Sequence, residues 1–537
     1  MRSQGIQFER PVAFWTGAVA ITSGVLMHFP DYLSMSDMGY RMAGMPMGGL
    51  MIWGMVLIVA GLALATYGLL PPAGRDTNAG KAAYQLTAID DATMTRAHWG
   101  LLFVLGVALI IDVMKPATLG FVLPGMSAEY GIRPAVTAWL LISALAGTTV
   151  GSIWWGIMAD RIGRRAAILL ASLMFIGTSI CGTMPSFALN LFMCFLMGLA
   201  AGGMLPIVYA LMAESIPARS RGWLVVLHGG MGTVGGTLAA AGCAALLEPV
   251  FSWRALWLVN LPTGVLMLVL NRWIPESPRF LLDRGRVAEA SAVMGRYGVR
   301  IESRPAAERE PATAPPLLWT GLRDLFRPPF GTQTAVVLMY GLAWGVVNWG
   351  FISFLPTFLR GAGFTAGSAS FLLFLSAGVA IPGTVLVAWA YGQWSSRKSM
   401  VAFAVASITC AVGLGWLAPA VGTNRTVIVM ALALLYAATG GMSAMLSPYT
   451  AEVFPTRLRG TASGLSASSS KLGGLIGGVA TVAGLITVST GMTRPALLVS
   501  IPIAAAALLV AWRGIETRGK RLEELGSSGM TWKRSEA

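Results

Sequence analysis

Residues 156–165 read GIMADRIGRR, a charged decapeptide set between two apolar runs, 134–155 and 166–184. Two glycines, one aspartate and three arginines in ten residues are too polar for lipid, so the stretch forms a tight loop at a membrane face. Gly156 is expected to let neighbouring helices approach closely, Gly163 to permit a sharp turn, and Asp160 to pair with an arginine or cap a helix. The rest of the chain agrees with a membrane setting. Of 537 residues, 55% are hydrophobic and only 11% charged, where a soluble domain carries about 25% charged residues. With repeated apolar runs longer than about 18 residues, this composition reads as an all-α polytopic membrane protein.

The net charge of +15 does not point to nucleic acid, because the basic residues are scattered through short loops without a basic helix or a zinc-finger spacing. The four cysteines, Cys181, Cys194, Cys243 and Cys410, lie inside apolar runs and read as packing residues. The first apolar run lacks a small-residue cleavage site, so a retained helix is expected rather than a removed signal peptide.

Fourteen spans are expected, at about 11–29, 48–70, 98–124, 134–158, 166–186, 188–213, 222–247, 252–271, 331–357, 366–391, 399–419, 425–449, 461–489 and 495–512. With both termini cytoplasmic, thirty of the 38 Lys and Arg fall in cytoplasmic segments. Six (Arg41, Arg133, Arg254, Arg360, Arg425, Arg494) fall outside, and Lys115 and Lys471 lie within spans. The chain then divides into two extra helices with a linker (1–96), a six-helix bundle (97–272), a cytoplasmic central loop (273–330), a second six-helix bundle (331–513) and a tail (514–537). Within the loop, 279–299 has the spacing of an amphipathic helix lying on the membrane face, and 308–316 (EREPATAPP) reads as a linker.

The halves repeat. Residues 213–222 read AESIPARSRG and 451–460 read AEVFPTRLRG, which makes Glu214 equivalent to Glu452 and Arg221 to Arg459. A fainter copy of the opening loop, YGQWSSRKSM, puts Gln393 where Asp160 stands. The pattern G-x-x-x-D-R-x-G-R-R resembles the loop after the second core helix of major facilitator superfamily transporters. PESPR (275–279), ETRGKRLEE (516–524) and the paired E-x-x-P-x-x-x-R-G loops resemble the sugar-porter-type branch, which includes sugar carriers, aromatic-acid and nicotinate carriers, organic-cation carriers and phosphate carriers. The likeness covers roughly residues 95–525 and leaves the first two helices outside it, with packing or insertion as their expected role. It implies substrate binding between the halves near mid-bilayer, with access alternating by rocking. It also implies a cytoplasmic gate of ion-pair clusters holding the halves together, built from Gly156, Asp160, Arg161, Gly163, Arg164, Arg165, Glu214, Arg221, Glu276, Arg279, Glu452 and Arg459. The plainer alternative is that these charges only set topology.

Departures from the branch bear on cargo. Hexose carriers show Gln-Gln-x-x-Gly-x-Asn on the seventh core helix; here Asn348 is kept, but Leu342 and Ala343 replace the glutamines. Cys194 stands where many relatives have arginine, and Met231–Gly232 replaces the Gly-Pro of the antiporter signature, which leans toward uptake.

Charges deep in spans are costly, which makes them functional candidates. Asp112 and Lys115 lie on one face of the first core helix, poised either to couple substrate and proton or to neutralise each other. Pro116 is expected to free a backbone carbonyl and kink that helix. Aromatic-acid symporters carry D-G-x-D at this place, and the lysine at the second acidic position favours a substrate bearing a carboxylate. Lys471 lies roughly 18 Å into the eleventh core helix, among five serines and before Gly473, Gly474, Gly477 and Gly478. His228 reads either as a proton carrier or as a hydrogen-bonded packing residue, and Trp344 and Trp349 as cavity-lining or lipid-facing residues.

The expected function is proton-coupled uptake of a small organic anion such as an aromatic carboxylate. No cofactor or metal is expected beyond the proton gradient. The chain is expected to act as a monomer in the inner membrane, with the bilayer and a small molecule as partners and no nucleic acid. A sugar, polyol or drug carrier is the alternative within transport, and a membrane ligand sensor the alternative outside it. An enzyme is not expected: there is no nucleophile elbow, and His28, His98 and His228 lie in separate segments.

Overall fold

A computed structural model describes residues 8–71, 84–85, 93–299, 302–303, 318–421, 424–485 and 491–518. The linker at 308–316, most of the polar segment 71–96 and the tail beyond Arg518 lie outside the described residues. Apart from a two-residue antiparallel pairing of Tyr84–Gln85 with Glu302–Ser303, the regular structure among the described residues is helical. In lipid this is the economical solution, since each helix satisfies its own backbone polar groups.

Helices α1 (Pro11–Leu26) and α2 (Gly49–Leu69) form an N-terminal hairpin. Then come α3 (Arg96–Tyr130), α4 (Ala138–Ile162), α5 (Arg164–Gly177), α6 (Phe187–Ala201), α7 (Met204–Ser215), α8 (Ala218–Phe251) and α9 (Asn260–Leu270). After the central segment follow α10 (Gly331–Gly350), α11 (Ala366–Trp389), α12 (Ser396–Val421), α13 (Arg425–Val453), α14 (Thr456–Val482) and α15 (Thr493–Arg513). Three main seams join helices before the central segment to helices after it: α8 against α11, α8 against α13, and α4 against α14.

Among the described residues, 12 helical stretches are long and apolar enough to cross a membrane. Two of the fourteen expected spans miss that standard for separate reasons. The expected span 188–213 breaks into α6 and α7 at Gly202–Gly203, where Trp155 packs against the glycine backbone. The span expected at 461–489 is the single helix α14, whose serines, glycines and basic residues leave it too polar. The amphipathic stretch 279–299 is also two helices, Pro278–Asp283 and Val287–Arg296. Gly285, left-handed at φ +71°, stands at the break. Helix α3 runs through both Pro116 and Pro124.

The hairpin is held by a glycine seam. Gly17 and Gly24 on α1 face Gly61 and Gly54 on α2, and a Cβ on Gly54 would lie 2.6 Å from the Gly24 carbonyl oxygen. Without side chains between them the backbones come into contact, which is how small residues drive association in lipid. The hairpin rests on α5, and its connecting loop reaches the end of α3: the Met42 and Ala43 amides donate to Glu129 Oε1 at 2.9 and 3.1 Å. Glu129 also pairs with Arg254 at 2.7 Å, and the Arg254 side chain is wholly buried.

Candidate substrate site and membrane-face loops

Helix α3 carries Asp112 and Lys115 into the interior, where they are 5% and 1% exposed. The self-neutralising ion pair that their spacing allows is not made. Asp112 Oδ1 and Lys115 Nζ are both buried without a hydrogen-bond partner. Lys115 turns instead to α5, with Nζ 3.1 Å from the centroid of the Phe175 ring. A desolvated cation–π contact is worth about 2 kcal/mol, less than the several kcal/mol that burying an ammonium costs. Lys115 is therefore kept in place at a net cost to stability, as expected of a residue retained for function.

Lys471 projects from α14 across the seam to α4. Its Nζ donates to the Thr148 carbonyl at 3.3 Å and to Ser152 Oγ. Asp112 interacts electrostatically with both Lys115 and Lys471. The three groups thus form one electrostatic chain from the first set of helices to the second, with two formal positive charges against one negative. Tyr209 of α7 interacts with Asp112, and Trp344 of α10 buries its indole nitrogen without a hydrogen-bond partner. The glycines of α14 take part in its packing: Gly473 and Gly477 lie on the α10 backbone, while Gly478 meets Ile142 of α4.

His228 and Asn348 are not drawn into this chain. His228 Nδ1 and Nε2 lie 2.9 Å from the carbonyls of Leu224 and Leu102, so the ring bridges α8 and α3. Asn348 is half-buried on α10, and its carbonyl accepts a hydrogen bond from Ser353 Oγ at 3.1 Å.

At the Gly163 face, Glu276 organises the loop. Its Oε1 accepts from the amides of Arg164 (2.8 Å), Arg165 (3.3 Å) and Ser277 (3.0 Å), capping α5. Burial pushes the Glu276 carboxyl above the usual carboxylate range, against the pull of these amides and of Arg164. Arg164 also reaches Ser277 Oγ, and Arg165 holds the carbonyl and the side chain of Asn271. The Arg161 carbonyl accepts from Arg284. All these contacts lie on the near side of the central segment, so they do not bridge the halves.

Gly163 sits at φ +98°, and a Cβ there would come 2.5 Å from Glu276 Oε2. Gly163→Ala is therefore expected to cost about 1–3 kcal/mol from backbone strain, with more from displacing Glu276. Detergent melting curves read this directly. Gly156 is a correction: no heavy atom lies within 4 Å of where its Cβ would be, so it supports no close helix approach. Helix α4 closes on α6 elsewhere, at Gly147 and Gly151. The side chains of Asp160, Glu214 and Arg279 lie outside the described residues.

The second half repeats this capping. Glu516 accepts from the Ser396 amide (2.9 Å), from Ser396 Oγ (2.7 Å) and from Ser395 Oγ, capping α12 as Glu276 caps α5. Burial works to raise its pKa, but these hydrogen bonds and the Arg518 amide hold it down to about 2. A carboxyl depressed on folding contributes stability above its unfolded pKa of about 4.3, and that contribution is lost as pH falls toward the folded value. The melting-temperature gap between wild type and Glu516→Gln is expected to be full at neutral pH and to close between about pH 4 and pH 2.

Glu452 takes hydrogen bonds from Tyr391 (2.7 Å) and Thr517 (2.6 Å) and interacts with Arg459. A Cβ on Gly222 would lie 3.2 Å from Glu452 Oε1, which places Glu452 beside the start of α8 across the halves. Arg221 turns back onto the Ile216 carbonyl. On the opposite face, Glu248 of α8 pairs with Arg360 at 2.5 Å and links the halves there.

Sequence reasoning missed Phe175, Ser152, Tyr391 and the Glu248–Arg360 pair. Only Glu248, an acid inside an apolar run, gave a readable signal.

The arrangement is that of a multi-pass membrane transporter, with buried charges where two helix sets meet. Residues 101–478 match the family described as Major Facilitator Superfamily, and the chain belongs to that superfamily of transporters rather than to an enzyme family. The niacin transporter NiaP of Acinetobacter baylyi is 24% identical, over 82% of this chain and 99% of its own length. The 4-hydroxybenzoate transporter PcaK of Pseudomonas putida is 27% identical, over 80% and 97%. Among solved structures, the xylose transporter XylE from E. coli superposes with a TM-score of 0.61 at 16% identity, covering 80% of this chain and 100% of that one. At that identity the likeness is one of fold.

Proposed function

We propose that the protein imports a small aromatic or heteroaromatic carboxylate together with a proton, by alternating access. The observation that carries this reading is the chain Lys115–Asp112–Lys471, two lysines and one aspartate that interact across the two sets of helices, with Asp112 and Lys115 buried and Lys471 half-buried. Lys471 and Lys115 attract the carboxylate, and Asp112 carries the proton that balances it. Trp344 and Trp349 offer faces for the substrate ring. The relatives named for niacin and 4-hydroxybenzoate transport support this substrate class.

The bundles at 97–272 and 331–513 rock about the site, each monomer carrying its own path in the inner membrane with both termini cytoplasmic. Helices α6 and α7 together, and α14 alone, cross the bilayer as well, which makes fourteen spans. The loop charges Asp160, Arg164, Glu214 and Glu452 act as the cytoplasmic gate. The proton gradient is the only driving force.

Reconstituted vesicles given a panel of aromatic acids, sugars and organic cations, with an acid exterior, test the reading. Acid-dependent uptake of one or more aromatic carboxylates, with matching external alkalinisation, is the expected result. Uptake of sugars alone, or binding without flux, overturns it.

A further inference from the structure

The loop joining α1 to α2 holds a second feature that the transport path does not use. Six of the chain's 29 methionines, Met35, Met38, Met42, Met45, Met47 and Met51, fall within residues 35–51. Four of them, Met42, Met45, Met47 and Met51, line a cavity of about 80 Å³ together with Asp31 and Thr183. Methionine commonly serves as a flexible filler of irregular gaps. Here four methionines border an open space large enough for a guest instead of filling it.

The polar group at this cavity is also unsatisfied. Asp31 Oδ2 is buried without a hydrogen-bond partner. One turn earlier, His28 is fully buried and its Nε2 has no partner, while its Nδ1 is spent on the Gly24 carbonyl at 2.8 Å. A buried, unpaired carboxylate oxygen at a cavity lined by four methionines asks for a cation that accepts both oxygen and thioether sulfur. Thioethers are soft, uncharged ligands that select Cu(I) over hard ions such as Mg²⁺ or Ca²⁺. No group of three His, Cys, Asp or Glu able to hold a metal occurs among the described residues, so a conventional zinc or calcium site is not what this geometry offers.

We propose that this cavity is a binding site for a soft monovalent metal ion, Cu(I) or its analogue Ag(I), with thioethers of Met42, Met45, Met47 and Met51 and the Asp31 carboxylate as the ligand set. The site also touches the transporter core. The Met42 and Ala43 amides hold Glu129, which in turn pairs with buried Arg254. An occupied site therefore fixes the hairpin loop against the end of α3 and gives the two extra helices a role beyond packing.

The test uses the full-length protein in detergent, titrated with Ag(I) and, under reducing conditions, with Cu(I) buffered by a chromogenic chelator. One ion per chain is expected to bind, and the binding is expected to weaken at least about tenfold in Met45→Leu/Met47→Leu and in Asp31→Asn. Leucine conserves the volume of methionine, so unchanged melting of the metal-free Leu variant separates ligand loss from misfolding. X-ray absorption of the loaded protein should show sulfur neighbours. Absence of binding in the wild type, unaltered affinity in both variants, or preference for Zn(II) or Ca(II) over Ag(I) overturns the proposal.

Discussion

Lys471→Met is expected to cut uptake of an aromatic carboxylate by roughly 100-fold or more while leaving the protein folded. At about 4 Å and an effective dielectric of about 20, opposite unit charges attract by about 4 kcal/mol, or about a thousandfold in affinity. The substrate first sheds water, so the observed loss is smaller than that ceiling. Methionine keeps the stem and its packing but removes the ammonium, and with it the donation from α14 to Thr148 and Ser152 on α4. Ser152→Ala separates these roles: it removes one acceptor of that tie and keeps the charge. Transport close to wild type in Ser152→Ala, beside the large loss in Lys471→Met, assigns the effect to the charge. Comparable losses in both would make Lys471 a structural strut between the halves.

The second large effect is expected at Asp112. Asparagine has the same size and still hydrogen bonds, but it cannot carry a proton. Asp112→Asn should abolish uphill accumulation driven by an acid exterior, while exchange of labelled for unlabelled substrate across the membrane continues. With one proton per anion, each pH unit of gradient supports about tenfold accumulation, so the loss is read against protein-free vesicles that report passive entry of the neutral acid. Intact accumulation in the variant would move the proton to another group.

Much of this arrangement was legible in one dimension, and the reasons differ by feature. The loop at 156–165 announced itself because charge inside an apolar sequence has few places to go, and the structure puts Gly163 at a φ that strains other residues. The motifs at 275–279 and 516–524, which carry Glu276 and Glu516, could be read in the sequence. Their shared act, capping the helices that start at Arg164 and Ser396, needed coordinates.

Lys115 and Lys471 stood out as costly, but their neighbours Phe175 and Ser152 are ordinary members of apolar helices far away in sequence. Gly156 shows the opposite failure, a glycine inside a motif whose surroundings are empty. The seven-residue spacing of Gly17 and Gly24, and of Gly54, Gly61 and Gly68, did encode the hairpin seam. Hydropathy does not weigh small residues, so counting apolar length passes over that signal.

The most direct measurement compares binding of benzoate with that of benzamide, a neutral isostere, in the wild type and in Lys115→Met/Lys471→Met. The account predicts that the wild type strongly prefers the acid and that the double variant binds acid and amide alike. A double variant that still prefers the acid would contradict it, because the carboxylate would then be held by groups other than Lys115 and Lys471.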